Sequence, residues 1–254
     1  MRQVPYGVIG NGRLATHLRY YLSSLCIPVI QWHRHCDTPV AHAMDSVQHI
    51  IIAIPDDAID PFIDQHPDLK AKCLIHCSGC LSSKNSHMAH PLMTFGPTIY
   101  HKNQYLKIPF ILEKSGPAFS ELLPGLPNPH YRIAQQDQAL YHALCVLANN
   151  GITLLLQHVL KEIEATLSLP HSVIKPILEH TIHNVLTDPR HALTGPWVRH
   201  DTNSIAQNLH ALKNTPLEPL YQQLLHLYRS HRDEQTSNCL KKASAAKNHH
   251  GYLL

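Results

Sequence analysis

The sequence lacks an apolar run long enough to cross a bilayer: the longest helix-like apolar stretch, Ile152 to Leu160, is short and is interrupted by Gln157 and His158. It leaves no room for a secretory leader, because strand-like residues begin within a few positions of Met1. It lacks a large excess of either charge. The formal net charge is +3, and lysine and arginine are scattered rather than striped, which argues against nucleic acid as a main partner. Together these absences predict a soluble, cytoplasmic protein with no membrane segment. Seven cysteines in such a chain read as reduced thiols, not disulfides. What remains is a chain of 254 residues, enough for one large domain or two smaller ones. Its 23 histidines make the charge strongly pH-dependent, although abundance alone assigns none of them a role.

The most informative segment is Val8-Ile9-Gly10-Asn11-Gly12-Arg13-Leu14-Ala15. It follows an apolar run and opens a stretch with helical spacing, the context of a dinucleotide-binding turn. Gly10 lets the strand turn sharply, Gly12 lets the backbone approach a pyrophosphate, and Ala15 stands at the close-packing position. The helix starting near Arg13 and Leu14 then aims its unpaired N–H groups at the phosphates, with Asn11 in the turn itself. One feature of NAD sites is missing. Where such sites place an acid to bind the ribose 2′-hydroxyl, this chain has Trp32-His33-Arg34-His35, and Asp37 comes too late for a strand end. Arg34, beside His33, suits a 2′-phosphate, so the expected cofactor is NADP(H).

The first half alternates strand-like and helix-like segments. Strands are predicted at Pro5 to Ile9, Pro28 to Trp32, His49 to Ile54, Lys72 to His76, Ile108 to Leu112 and His130 to Ile133. Helices fit Leu14 to Ser24, Asp56 to Gln65 and Pro117 to Leu123, the last with Ser115 as its cap. From Gln135 the period becomes 3.6, with Ile152, Leu155, Leu156, Val159, Leu160, Ile163 and Leu167 on one face. Further helices fit Ser172 to Leu186, Thr202 to Leu212 and Pro216 to Tyr228. The predicted class is α/β: a doubly wound parallel sheet over 1–134, a helical substrate and dimerisation domain over 135–229, and a frayed polar tail over 230–254.

Several segments together resemble the Rossmann-like proteins that carry the C-terminal domain of unknown function 2520, relatives of pyrroline-5-carboxylate reductase and the 6-phosphogluconate dehydrogenase group. They are the turn from Ile9 to Ala15, Ile54-Pro55-Asp56-Asp57-Ala58-Ile59, His76-Cys77-Ser78-Gly79, and His90-Pro91-Leu92-Met93-Thr94-Phe95. Further along come Tyr141-His142-Ala143 through Asn150 and Ala192-Leu193-Thr194-Gly195-Pro196-Trp197-Val198-Arg199-His200-Asp201. The resemblance runs from about residue 5 to 228. It implies an NADP-binding N-terminal domain, an all-helical second domain and a homodimer, without supplying a known reaction. His200 departs from the glycine usual after the arginine, and no lysine occupies the helical position that the 6-phosphogluconate dehydrogenase relatives use.

Ser78 and Gly79 follow the fourth strand, where ligands of doubly wound sheets collect, and Ile54-Pro55 should pass under the cofactor in the same way. Asp56 reads as a helix cap. His142 and Asn150 are eight residues apart and so share a helix face. In the related reductases that helix reaches the nicotinamide, which makes His142 a proton donor to a reduced carbonyl or imine and Asn150 its orienting partner. Thr194 and Arg199 form a polar loop in which Arg199 holds a substrate carboxylate or pairs with Asp201, the cap of the next helix. His90 falls in a loop lining the expected interdomain cleft. Cys77, Cys80, His87 and His90 have a spacing that zinc accepts, but a thiol ending a buried strand favours ordinary cysteines and no metal. The expected function is hydride transfer to or from a small carbonyl or imine substrate. The alternative is an NADP-binding sensor without turnover, and two or more titratable groups near the nicotinamide would discriminate for the enzyme.

Overall fold

A computed structural model describes residues 5–230. The polar tail expected at the end of the chain lies, from residue 231, outside the described residues. The chain divides into two compact units, one up to Asn150 and one from Gly151.

The first unit is an α/β sandwich on seven strands: β1 Tyr6–Ile9, β2 Val29–Trp32, β3 His49–Ile52, β4 Cys73–His76, β5 His87–Pro91, β6 Phe110–Glu113 and β7 His130–Ile133. Their order is β2-β1-β3-β4-β5-β6-β7. Strands β1 to β5 pair in parallel, β6 runs antiparallel to β5, and β7 is parallel to β6. The sheet is therefore doubly wound but not wholly parallel. Alternation along the strands feeds two apolar layers. Tyr6, Val8 and Ile51 join one cluster, and Ile9, Ile50 and Ile52 join the other. All four residues of β1 are buried, as expected for a strand covered on both faces.

Helices α1 (Arg13–Ser24) and α3 (Asp56–Gln65) follow β1 and β3, and short helices α2 (Val40–Ala43), α4 (Lys102–Tyr105) and α5 (Phe119–Leu122) fill the connections. Two sequence expectations are corrected here. The helix placed at Pro117 starts at Phe119 instead, capped from Ala118, whose N–H donates to Glu121. His90 and Pro91 lie in β5, not in a loop. A run that mixes two histidines with a proline carries no strand pattern of its own, and its pairing to β4 and β6 is what makes it one.

Helix α6 (Gln138–Val146) continues through a π turn, Leu147–Gly151, into α7 (Ile152–Ala165). With the turn before α6 this makes a single helical run, Gln135–Ala165, of 31 residues. Asn150-Gly151 therefore does not end a helix, because the backbone bonds carry across it in the wider π pattern. The run is long and apolar enough to cross a membrane by length and composition, which corrects the reading of the stretch as too short. The polar residues Asn149, Asn150, Gln157 and His158 interrupt its hydropathy without breaking the helix.

The second unit contains α7, α8 (Lys175–Thr187), α9 (Pro196–Arg199), α10 (Thr202–Ala211) and a last helix at 217–230. Asp201 caps α10 as expected, accepting from the backbone N–H of Ser204 at 3.0 Å and from its hydroxyl at 2.6 Å. These bonds hold its carboxyl below the usual carboxylate range, with Arg199 adding to the effect. His200 ends α9 in the left-handed region (φ 58°), a backbone conformation that favours glycine. Among the described residues of this unit only Ile205 and Leu225 are buried.

Candidate functional site

The turn after β1 has the geometry its glycines predict. Gly10 adopts φ +129°, and a Cβ there would lie 2.3 Å from the carbonyl oxygen of Ala53 at the end of β3. Ala15 packs beneath it, fully buried. Gly12 is the N-cap of α1, and a Cβ built on it meets nothing within 4 Å. No acid stands in the first turn of α1, so the positive end of the helix at Arg13 and Leu14 is not neutralised locally. Gln31 donates from its amide to the carbonyl of Gly10 at 2.8 Å and to Asn11 Oδ1 at 3.2 Å, tying the turn to β2.

Beside this turn lies a cavity of about 650 Å³ whose walls include Asn11, Trp32, Arg34, Pro55, Phe62 and His66. Gly10, His33 and Ile54 also line it, so the structure brings most of the expected cofactor residues together at the carboxyl ends of β1, β2 and β3. Trp32, Phe62 and His66 were not singled out from sequence. Their signal was the apolar face of α3 next to an aromatic strand end. Trp32 and Phe62 have ring centroids 5.8 Å apart, and Phe62 and His66 4.6 Å.

At the end of β4 the expected roles change. Ser78 is buried, and its hydroxyl donates to Asp56 Oδ2 at 2.5 Å while accepting from the N–H of Leu81 at 3.0 Å. Its side chain thus folds the loop. Asp56, read as a helix cap, is instead the first residue of α3, with Pro55 at the cap and its carboxylate bonded to Ser78. Gly79 is required by its neighbours: a Cβ would stand 2.9 Å from His142 Cδ2 and 3.4 Å from the ring of His90.

Those two rings begin a second cavity of about 760 Å³, lined by His90, Thr94, Tyr141, His142, Cys145 and Asn150 among others. His142 and Asn150 do share a surface, as their spacing predicted. His90 Nδ1 lies 2.6 Å from the hydroxyl of Tyr141. Burial pulls the imidazole of His90 down to about 4, with His142 pushing the same way and Asp56 opposing. Burial also raises the Tyr141 phenol above its ordinary value, and Cys145 adds to this. At neutral pH His90 is an uncharged hydrogen-bond partner and Tyr141 keeps its proton. Tyr141 went unmarked in the sequence because a tyrosine at a helical position carries no sign of a partner 51 residues away. Asn149 donates to Asn150 Oδ1 at 3.1 Å, leaving the Asn150 amide nitrogen to act as a donor.

The four zinc-spaced residues are not gathered. Among the described residues no three His, Cys, Asp or Glu side chains are placed to hold a metal. Cys77 lies in the core, its thiol pushed up to about 12 chiefly by burial, and Cys80 contacts Ser78 and Asp56. Thr194 and Arg199 belong to the second unit, near the cap of α10.

Residues 110–227 match the family model described as domain of unknown function DUF2520, and a search of curated proteins found no match to the chain. Among solved structures the chain is similar to the candidate NADP oxidoreductase BF3122 of Bacteroides fragilis. The two share 20% identity at a TM-score of 0.72, with 90% of this chain and 99% of that one covered. Protein TM1727 of Thermotoga maritima gives 22% identity and a TM-score of 0.66 over 91% and 99%. The pyrroline carboxylate reductase of Plasmodium falciparum, solved with NADP bound, gives 12% and 0.54 over 89% and 96%. These likenesses establish the Rossmann-type fold with a helical C-terminal region.

Proposed function

We propose that this chain is an NADP(H)-dependent oxidoreductase acting on the carbonyl or imine carbon of a small polar molecule. The observation that supports it best is the cluster of His90, Tyr141 and His142 around a side-chain-free Gly79, on the same carboxyl edge of the sheet as the phosphate-binding turn. The residues fit the cofactor. Open space stands over Gly12, α1 offers uncompensated N–H groups, and Arg34 supplies a permanent cation where an acid would reject a 2′-phosphate. When bound, the nicotinamide supplies or accepts the hydride. His142 gives the proton that the reduced oxygen or nitrogen takes up, Asn150 orients that group through its amide N–H, and His90 holds Tyr141 at the edge of the same cavity. Three titratable side chains on one surface favour turnover over a sensor.

A homodimer joined through the helical half belongs to this reading. Leu144, Leu147, Leu154, Ile177, Leu186 and Leu227 are each more than half exposed, far more apolar surface than a monomer tolerates, while the second unit buries almost nothing of its own.

Screening carbonyl and imine compounds for oxidation of NADPH tests the function. Turnover with any of them that falls about 100-fold or more in His142→Ala supports it. NADPH binding without turnover across the screen would return the sensor reading.

A further inference from the structure

Helix α1 does more than present its N-terminus. One turn after Arg13 it carries His17, which is 1% exposed and sits among the rings of Phe95, Tyr100 and Tyr105, their centroids 5.1, 4.7 and 5.8 Å away. A ring with two polar nitrogens is costly to bury unless both are paired, and here both are. Nε2 lies 2.9 Å from the carbonyl oxygen of Gly96, and Nδ1 lies 2.6 Å from the hydroxyl of Tyr105. The carbonyl can only accept, which puts the ring proton on Nε2 and leaves Nδ1 to accept from Tyr105.

Gly96 belongs to the segment 92–101, which joins β5 to α4 without helix or strand. Leu92 still follows the sheet, its N–H donating to the carbonyl of Pro109 at 2.9 Å. From Thr94 to Tyr100 the backbone bonds to side chains instead. The N–H of Gly96 donates to the Tyr100 hydroxyl at 3.3 Å, that hydroxyl donates to the carbonyl of Thr94, and the N–H of Tyr100 donates to the Tyr105 hydroxyl at 3.3 Å. With the two bonds of His17 these form a closed circuit through Gly96, Tyr100 and Tyr105. Thr94, on its outer end, lines the cavity of His90, Tyr141 and His142, as do Leu92 and Met93. A loop with no ladder of its own keeps one shape only while such side chains hold it.

We infer that His17 is a positioning residue for substrate: from the helix that receives the cofactor phosphates, it fixes the loop 92–96 as one wall of the cavity that contains His142. This rests on the reading that nicotinamide and substrate meet in that cavity. Imidazole suits the place because one rigid ring offers a donor and an acceptor on different edges, joining Gly96 on one side to Tyr105 on the other. Phenylalanine would fill a similar volume and leave the Gly96 carbonyl and the Tyr105 hydroxyl without this partner. Glutamine keeps both a donor and an acceptor. The wall touches substrate in the ground state and the transition state alike, so its displacement acts on KM more than on kcat.

Hydrogen–deuterium exchange and steady-state kinetics on the full chain test the tether, with NADPH and the compound turned over fastest in the screen above. In His17→Phe, exchange in peptides covering 92–101 should rise about tenfold while those covering β1 and β3 keep their protection. KM for that compound should rise about tenfold or more, with kcat and the dissociation constant of NADPH each within about threefold of the parent. His17→Gln should recover most of both effects. Tyr100→Phe frees the Thr94 carbonyl and the Gly96 N–H at a half-buried ring without altering α1, and should reproduce the rise in KM. The double variant His17→Phe/Tyr100→Phe should add little to the larger single effect, because both act through one loop. Unchanged exchange at 92–101 in His17→Phe overturns the tether. Protection lost throughout the first unit, with Tyr100→Phe silent, overturns it too and makes His17 a core residue only. A normal KM in a variant whose loop has loosened overturns the positioning role alone. A loop that loosens in a chain whose parent turns over none of the compounds overturns the proposed function, and the positioning role with it.

Discussion

His90 makes the protein sensitive to acid by an amount that can be worked out. Its imidazole is depressed to about 4 in the folded chain and rises to an ordinary 6.5 on unfolding. Protons therefore bind the unfolded chain first, and stability that is complete above pH 6.5 drains away as pH falls, reaching its full loss below about 4. Across the whole window the linkage is about 3 kcal/mol, and between pH 7.5 and pH 5.0 it is about 2 kcal/mol. The assay is urea unfolding followed by fluorescence of Trp32, in a chain whose only other tryptophan, Trp197 of the second unit, is replaced by Phe. His90→Gln keeps a hydrogen-bonding group beside Tyr141 but cannot titrate. It will cost some stability at pH 7.5, yet it should lose about 2 kcal/mol less than the parent between pH 7.5 and pH 5.0. Parallel losses in the two proteins would refute the account, because the other histidines and the carboxylates are common to both. Direct NMR titration of the His90 ring should show a midpoint well below that of an exposed histidine.

The two glycines of the turn should fail in opposite ways. Gly10→Ala sets a Cβ against the Ala53 carbonyl at a positive φ and should destabilise the first unit by about 3 to 5 kcal/mol, read by the same unfolding curves. Gly12→Ala, whose Cβ meets nothing in the protein, should leave stability within about 1 kcal/mol while weakening NADPH at least tenfold by calorimetry; normal NADPH affinity in this variant would remove the phosphates from the turn. Tyr141→Phe should raise the titration midpoint of His90 if the 2.6 Å bond holds that ring, and an unmoved midpoint would leave its depression to burial and the neighbouring histidines. Light scattering over a concentration series should give twice the chain mass of 28.7 kDa, and a strict monomer at micromolar concentration would leave the exposed leucines unexplained.

The parts of this protein legible in its order of residues are those whose cause is local. A glycine that must take a positive φ, an apolar run buried on both faces and the Asp201 cap each follow from a few neighbouring residues. The turn from Gly10 to Leu14, strands β1 to β4 and the start of α10 could therefore be placed from sequence. Strand β5 could not. His87-Met88-Ala89-His90-Pro91 is extended because β4 and β6 offer it hydrogen bonds on both sides, and nothing within those five residues requires it. The same holds for Ser78, a plausible cofactor contact by position, whose hydroxyl is taken by a carboxylate 22 residues earlier in the chain. The spacing of His142 and Asn150 was readable because a helix repeats on itself. The meeting of His90 with Tyr141, and of both histidine rings with the bare backbone of Gly79, was not. Such contacts join groups tens of residues apart, and only the packing of one helix on the sheet edge sets His90, among 23 histidines, against Tyr141.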